Sequence, residues 1–148
     1  MRRIETGEKY IGEIPLRLFQ EDEFKRRSYL DEAYRIVAAG LNVLRASKHE
    51  LIRVCRGYVL SKVRARLRED GYRVESSKIT GETQIIAEEA YLKTLERYGV
   101  DPSKLTLTSG SMRFHKLIEW VLEDPFTRVR YTKTGWKALR DKWLKGYL

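Results

Sequence analysis

Cysteine is nearly missing from this chain. The only one, Cys55, excludes an intramolecular disulfide, and with His49 and His115 as the sole histidines no structural zinc set is available. An intracellular, reducing setting fits that usage. Glycine builds no phosphate-cradling loop of the nucleotide-binding kinds, no His pair has metal-ligand spacing, and no serine carries the flanking glycines of an activated nucleophile. No enzyme activity, metal or cofactor is therefore expected, and Cys55 and His115 are expected as ordinary packing residues. Apolar runs fall well short of the roughly 20 residues of a membrane span, and MRRIETGEKY leads into no hydrophobic signal core. The expectation is a soluble, unsecreted protein with no membrane partner.

Positive charge is what the chain has in excess, with a formal net charge of +9 over 148 residues. That length suits one domain, able to bury about 70% of its unfolded surface without a staple. The charge is uneven: residues 1–47 hold nine basic and eight acidic side chains, 48–80 nine and four, 81–109 three and five, and 110–148 nine and four. Two basic blocks thus flank a mildly acidic insert, whereas a surface merely rich in charge, as in thermophiles, would balance its signs. The densest stretch is FTRVRYTKTGWKALRDKWLKGYL, residues 126–148, with seven Lys or Arg, one acid, Asp141, and the aromatics Phe126, Tyr131, Trp136, Trp143 and Tyr147 interleaved. Cations neutralise phosphates with release of counterions, and aromatic rings stack on sugar and base. Trp136, Leu139 and Trp143 also recur at helical spacing, the pattern of a terminal helix docked on a core.

Along the chain, the first twenty residues mix Gly7, Gly12 and Pro15 with short apolar pairs and suggest an extended arm. Ser28, a good N-cap, opens a helix over 28–46 with Leu30, Ala33, Tyr34, Val37, Leu41 and Leu44 on its apolar face. Ser47 and Glu50 form a capping-box pattern for a second helix, in which Leu51, Cys55, Val59, Val63 and Leu67 step by fours until Gly71. Arg53, Arg56 and Arg64 would form a stripe away from that row. A strand over 72–79, a helix over 80–98 ending at Gly99, and a short helical turn from Asp101 and Pro102 to about 106 follow. TSGS at 108–111 would cap a helix with Phe114, Leu117, Ile118, Val121 and Leu122 inside, closed by Asp124 and Pro125. FTRVRYT alternates like a strand, and Thr134 would cap a final helix. The fold expected is mainly α: a five-helix, bundle-like single domain over 21–148, an extended N-terminal arm over 1–20, and at most one or two short strands.

Three resemblances bear on function. RGYVLSKVRARLREDGYRV, residues 56–74, resembles the opening helix and first strand of restriction-endonuclease-like folds, including Holliday-junction resolvases and RecB-like nucleases. Glu75 and Lys78 stand three apart where that family places an acid and a lysine two apart, so the resemblance implies a nuclease-like fold lacking its metal site. SKLTLTSGSMRFHKLIEWVLED followed by RVRYTKTGWKAL is similar to a winged helix-turn-helix, which would aim Arg113 and Lys116 at the major groove and put Arg128 and Arg130 on a wing. A basic arm before a small helical bundle with basic helices resembles the nucleoproteins that coat linear DNA in filamentous archaeal viruses. That likeness implies self-assembly along double-stranded DNA and a virion location.

The function expected is accordingly a non-enzymatic nucleic-acid-binding protein, coating or packaging double-stranded DNA as a structural subunit, alone or in a larger complex. The alternatives are a winged-helix transcriptional regulator, an RNA-binding part of a ribonucleoprotein, and the nuclease-like fold without its metal. Candidate phosphate-binding residues are Arg2 and Arg3 on the arm, Arg53, Arg56, Lys62, Arg64 and Arg66 in the first basic block, and Arg113 and Lys116 before the closing segment. That segment itself contributes Arg128, Arg130, Lys133, Lys137 and Arg140.

Overall fold

The computed structural model describes residues 1–105 and 109–147, and the end of the expected turn after Pro102 and the first residue of TSGS lie outside the described residues. Among the described residues, seven α-helices and two strands follow in the order α1 (Glu21–Arg26), α2 (Ser28–Val43), β1 (Leu51–Cys55), α3 (Ser61–Glu69), β2 (Arg73–Ser77), α4 (Glu82–Arg97), α5 (Gly110–Glu123), α6 (Pro125–Arg128) and α7 (Lys137–Lys142). The protein is mainly α, with one small sheet.

That sheet is where the structure departs most from the expected long second helix. Half of the capping box is present, Ser47 N–H donating to Glu50 Oε1 at 3.0 Å, but Ser47 Oγ accepts from His49 N–H at 3.3 Å while Glu50 N–H donates to Ser47 O at 3.1 Å, and these bonds close a turn. The chain then runs extended through LIRVC, rich in side chains that suit a pleated surface. A step of four is two strand periods as well as one helical turn, so the row from Leu51 to Leu67 satisfied both geometries. On β1 it is Ile52 and Val54 that face the core, while Leu51 stays 46% exposed. β1 pairs in parallel with β2 from Leu51 opposite Arg73 to Cys55 opposite Ser77, and α3 is the crossover between them.

Val63 and Leu67 of α3, both fully buried, join Ala33 and Leu41 of α2 and Val54 of β1 in the main core. The apolar face of α2 is as the spacing predicts, but its start is not. Arg27, at φ +58°, turns the chain directly from α1 into α2, and Ser28 is the first helical residue with no cap bond from its side chain. The first ten residues do not reach outward. They fold back, with Tyr10 N–H donating to Met1 O at 3.0 Å and Arg3 N–H to Glu8 O at 2.8 Å, and they pack on α2 where Gly40 leaves room for Met1 and Tyr10.

α4 follows the predicted helix closely. It has no fully buried residue and leaves Ile85 and Tyr91 exposed. Among the described residues no helix is long and apolar enough to cross a membrane.

The last third builds a second core from Ile118 and Val121 of α5 with Leu139 and Leu144, flanked by Phe114, Trp120, Val129 and Trp143. Ser109 caps α5 as expected, its Oγ accepting from Met112 N–H at 3.2 Å. The strand expected in FTRVRYT is absent: Pro125 starts α6, Arg128 N–H returns to Asp124 O at 3.0 Å, and a 3-10 turn, Val129–Tyr131, carries Val129 into the core. A proline after Asp124 is preorganised for a helical start, and here that outweighs the alternation. No wing strand carries Arg128 and Arg130. Thr134 is buried without capping α7, whose N-cap is Trp136. Leu139 and Trp143 face the core as predicted, but Trp136 is 43% exposed.

Gly135 joins the two halves. Its N–H donates to Phe19 O at 3.2 Å, and a Cβ there would sit 2.3 Å from Phe24 Cβ and 3.1 Å from the Glu21 backbone nitrogen. Gly135→Ala is therefore expected to cost about 1–3 kcal/mol by overpacking, which lowers the melting temperature by about 2–4 °C per kcal/mol in a chain of this size. An unchanged melting temperature in calorimetry would contradict that docking.

Candidate nucleic-acid interface

The predicted cations divide into those that hold the fold and those that face outward unpaired. Arg2 pairs with Glu82, and Arg3 donates to Leu44 O at 2.8 Å and to Glu50 Oε1 at 2.7 Å. The Leu44 carbonyl ends α2, where a cation offsets the helix dipole. Ser47 N–H and Arg3 together hold the Glu50 carboxyl below the usual carboxylate range, while Glu50 raises Arg3. The arm's two arginines thus anchor the arm.

Of the nine cations of the first basic block, Arg53, Lys62 and Arg66 hold a carboxylate within 4 Å among the described residues. Arg53 stands opposite Glu75 across the sheet, 3.7 Å away. Lys62 and Arg66 share Asp31, with Arg66 at 3.9 Å from it and stacked 4.4 Å over the Tyr34 ring. Arg64 closes the β1–α3 connection by donating to Cys55 O and, at 3.1 Å, to Gly57 O. Arg56 is exposed, and no ion pair includes it among the described residues. The expected stripe of Arg53, Arg56 and Arg64 does not form, because Arg53 and Arg64 belong to a strand and a helix rather than to one helix.

Ahead of the closing segment, Lys116 donates to Lys104 O at 2.6 Å and Arg113 is half-buried, its Nε shielded with no hydrogen-bond partner. Lys116 is thus held to the chain before α5, while Arg113 has no ion pair among the described residues.

The closing segment has a similar share of cations without a carboxylate, and it adds exposed rings. Of its seven cations only two hold a carboxylate within 4 Å among the described residues: Arg128 with Glu123 at 2.8 Å, and Lys137 with Asp141. The remaining five, Arg130, Lys133, Arg140, Lys142 and Lys145, have no such partner. Three of those lie against rings instead: Arg130 over Tyr131 at 4.9 Å, Lys133 over Phe19 at 4.8 Å and Lys142 over Trp143 at 5.2 Å. Lys133 is exposed as a residue, yet its ammonium is crowded enough that desolvation lowers its pKa. Lys142 and Lys145 extend the set beyond the residues singled out from sequence, although both sat in the densest charge run. Phe126, 90% exposed, adds a bare ring to the same segment.

Among the described residues no three His, Cys, Asp or Glu side chains gather where they could hold a metal ion. Comparison of the chain with family models, curated proteins and solved structures returns no match.

Proposed function

We propose that this chain is a non-enzymatic nucleic-acid-binding protein that coats duplex DNA through phosphate contacts, as one of many copies along it. The observation that carries this is the closing segment, with Arg130, Lys133, Arg140, Lys142 and Lys145 lacking a carboxylate partner among the described residues. Guanidinium and ammonium groups with no carboxylate within 4 Å, in a segment that exposes the rings of Phe126, Trp136 and Tyr147, fit a polyanion with flat bases better than any acidic protein surface. Duplex DNA offers the densest regular array of such phosphates. Packing of neighbouring copies is favoured by α4, a helix with two Lys or Arg against four Glu that exposes Ile85 and Tyr91 on an otherwise basic protein.

A coat of this kind treats sequences alike. Affinities for unrelated duplexes of equal length are expected to agree within about threefold, and electron microscopy of protein mixed with linear DNA is expected to show continuous coverage. A preference for one site by about a thousandfold, with a footprint of fixed length, would instead identify a sequence-reading regulator. Tighter binding of structured RNA than of duplex DNA would identify a ribonucleoprotein component.

A further inference from the structure

The closing segment also walls a groove that phosphate contacts alone leave unexplained. Between α1, the 3-10 turn Tyr58–Leu60 and α7 lie two adjoining hollows of about 580 and 310 Å³ that share Phe24, Tyr29, Tyr58 and Trp136. Their floor is a run of stacked rings, Phe19 on Tyr29 at 5.0 Å and Phe24 on Tyr29 at 5.4 Å, with interplanar angles of 23° and 19°. Tyr58 and Trp136 stand in its wall, 56% and 43% exposed. The rim carries Lys25, Arg27, Lys133, Lys137 and Arg140 against one acid, Glu21.

Two of the three non-glycine residues with positive φ among the described residues lie here, and the third, Arg45, follows α2 outside the groove. Glu21 and Arg27, at the two ends of α1, adopt φ of +38° and +58°, a region that residues with side chains seldom occupy. Strain of this kind persists where the surroundings fix it, and it gathers at ligand sites. Here it sets a six-residue helix so that Phe24 enters the floor while Lys25 and Arg27 reach the rim.

We propose that this groove holds an unpaired nucleotide of a single-stranded segment or strand end, its base stacked against Tyr58 and Trp136 and its phosphate held by Arg27 and Arg140. Flat apolar walls accept any base through its ring face, and although Asp22 pairs with Lys25 and Asp141 with Lys137, an acyl chain or apolar peptide would leave Arg27, Lys133 and Arg140 without a counter-charge. A duplex cannot enter, because its bases are paired and stacked internally. The proposal rests on the nucleic-acid reading above and extends it from phosphate to base.

The test uses the full chain and two probes, a fluorescently labelled oligothymidylate and a labelled blunt duplex, each titrated by anisotropy with the wild type, Tyr58→Ala and Tyr58→Phe. Tyr58 is exposed enough to be replaced without unfolding, which a thermal melt checks. Loss of one stacked base is expected to weaken oligothymidylate binding about 5- to 100-fold in Tyr58→Ala, with near-complete recovery in Tyr58→Phe and duplex affinity changed less than about twofold. Equal losses for both probes, or no loss for oligothymidylate, would overturn the groove while leaving the phosphate surface standing. Failure of the wild type to bind either probe would overturn the nucleic-acid function itself.

Discussion

Replacing Arg130, Arg140, Lys142 and Lys145 together by glutamine is expected to weaken duplex DNA binding by about three to four orders of magnitude at about 0.1 M salt. Each lost phosphate contact removes about 0.9 from the salt slope, and hence about 0.9 logarithmic units of affinity a decade below 1 M. No carboxylate lies within 4 Å of these four among the described residues, so glutamine breaks no ion pair there. The informative control comes from the first basic block. Lys62→Gln is expected to leave DNA affinity within about twofold, since its ammonium is already held by Asp31. A loss of about eightfold in Lys62→Gln, the same per residue as in the closing segment, read by anisotropy titration, would mean that formal charge rather than unpaired charge governs binding.

Leu67→Ala is expected to cost about 3–5 kcal/mol, against about 0.5 kcal/mol for Leu51→Ala, both measured by urea denaturation. Leu67 has no exposed surface and packs between α2 and the sheet, and its carbonyl accepts from Tyr72 N–H at 2.9 Å where α3 turns into β2. With total stabilities of about 5–15 kcal/mol for a domain of this kind, its loss brings the chain close to unfolding at moderate temperature. Leu51 lies on the same four-residue row in the sequence but on the outer side of β1, 46% exposed. A continuous helix would bury the two alike, and equal costs would contradict the strand.

That pair shows where the sequence misleads. Apolar residues at intervals of four do not distinguish one helical turn from two strand periods, and half of a capping box is a local bond pattern that a turn can also make. What decides for the strand is a partner twenty-two residues away, Arg73 opposite Leu51, which no local pattern contains. Helices with long amphipathic faces and clear stops were legible: α2 from its apolar row, α4 up to Gly99, and α5 from Ser109 to the Asp124–Pro125 break. The candidate interface was legible as a charge run and no further. Sequence counts Arg53, Lys62, Arg64, Arg128 and Arg140 as equals, whereas Glu75, Asp31, two backbone carbonyls and Glu123 occupy the first four. The aromatic groove was not legible at all, because Phe24, Tyr58 and Trp136 come from three distant stretches brought together by the close approach at Gly135.

The most direct measurement of the central proposal is the salt dependence of binding to duplex DNA. With five phosphate contacts from the closing segment, the logarithm of the binding constant is expected to fall against the logarithm of salt concentration with a slope of about −4.5. A slope between zero and about −1 would contradict a phosphate-binding surface built from Arg130, Lys133, Arg140, Lys142 and Lys145.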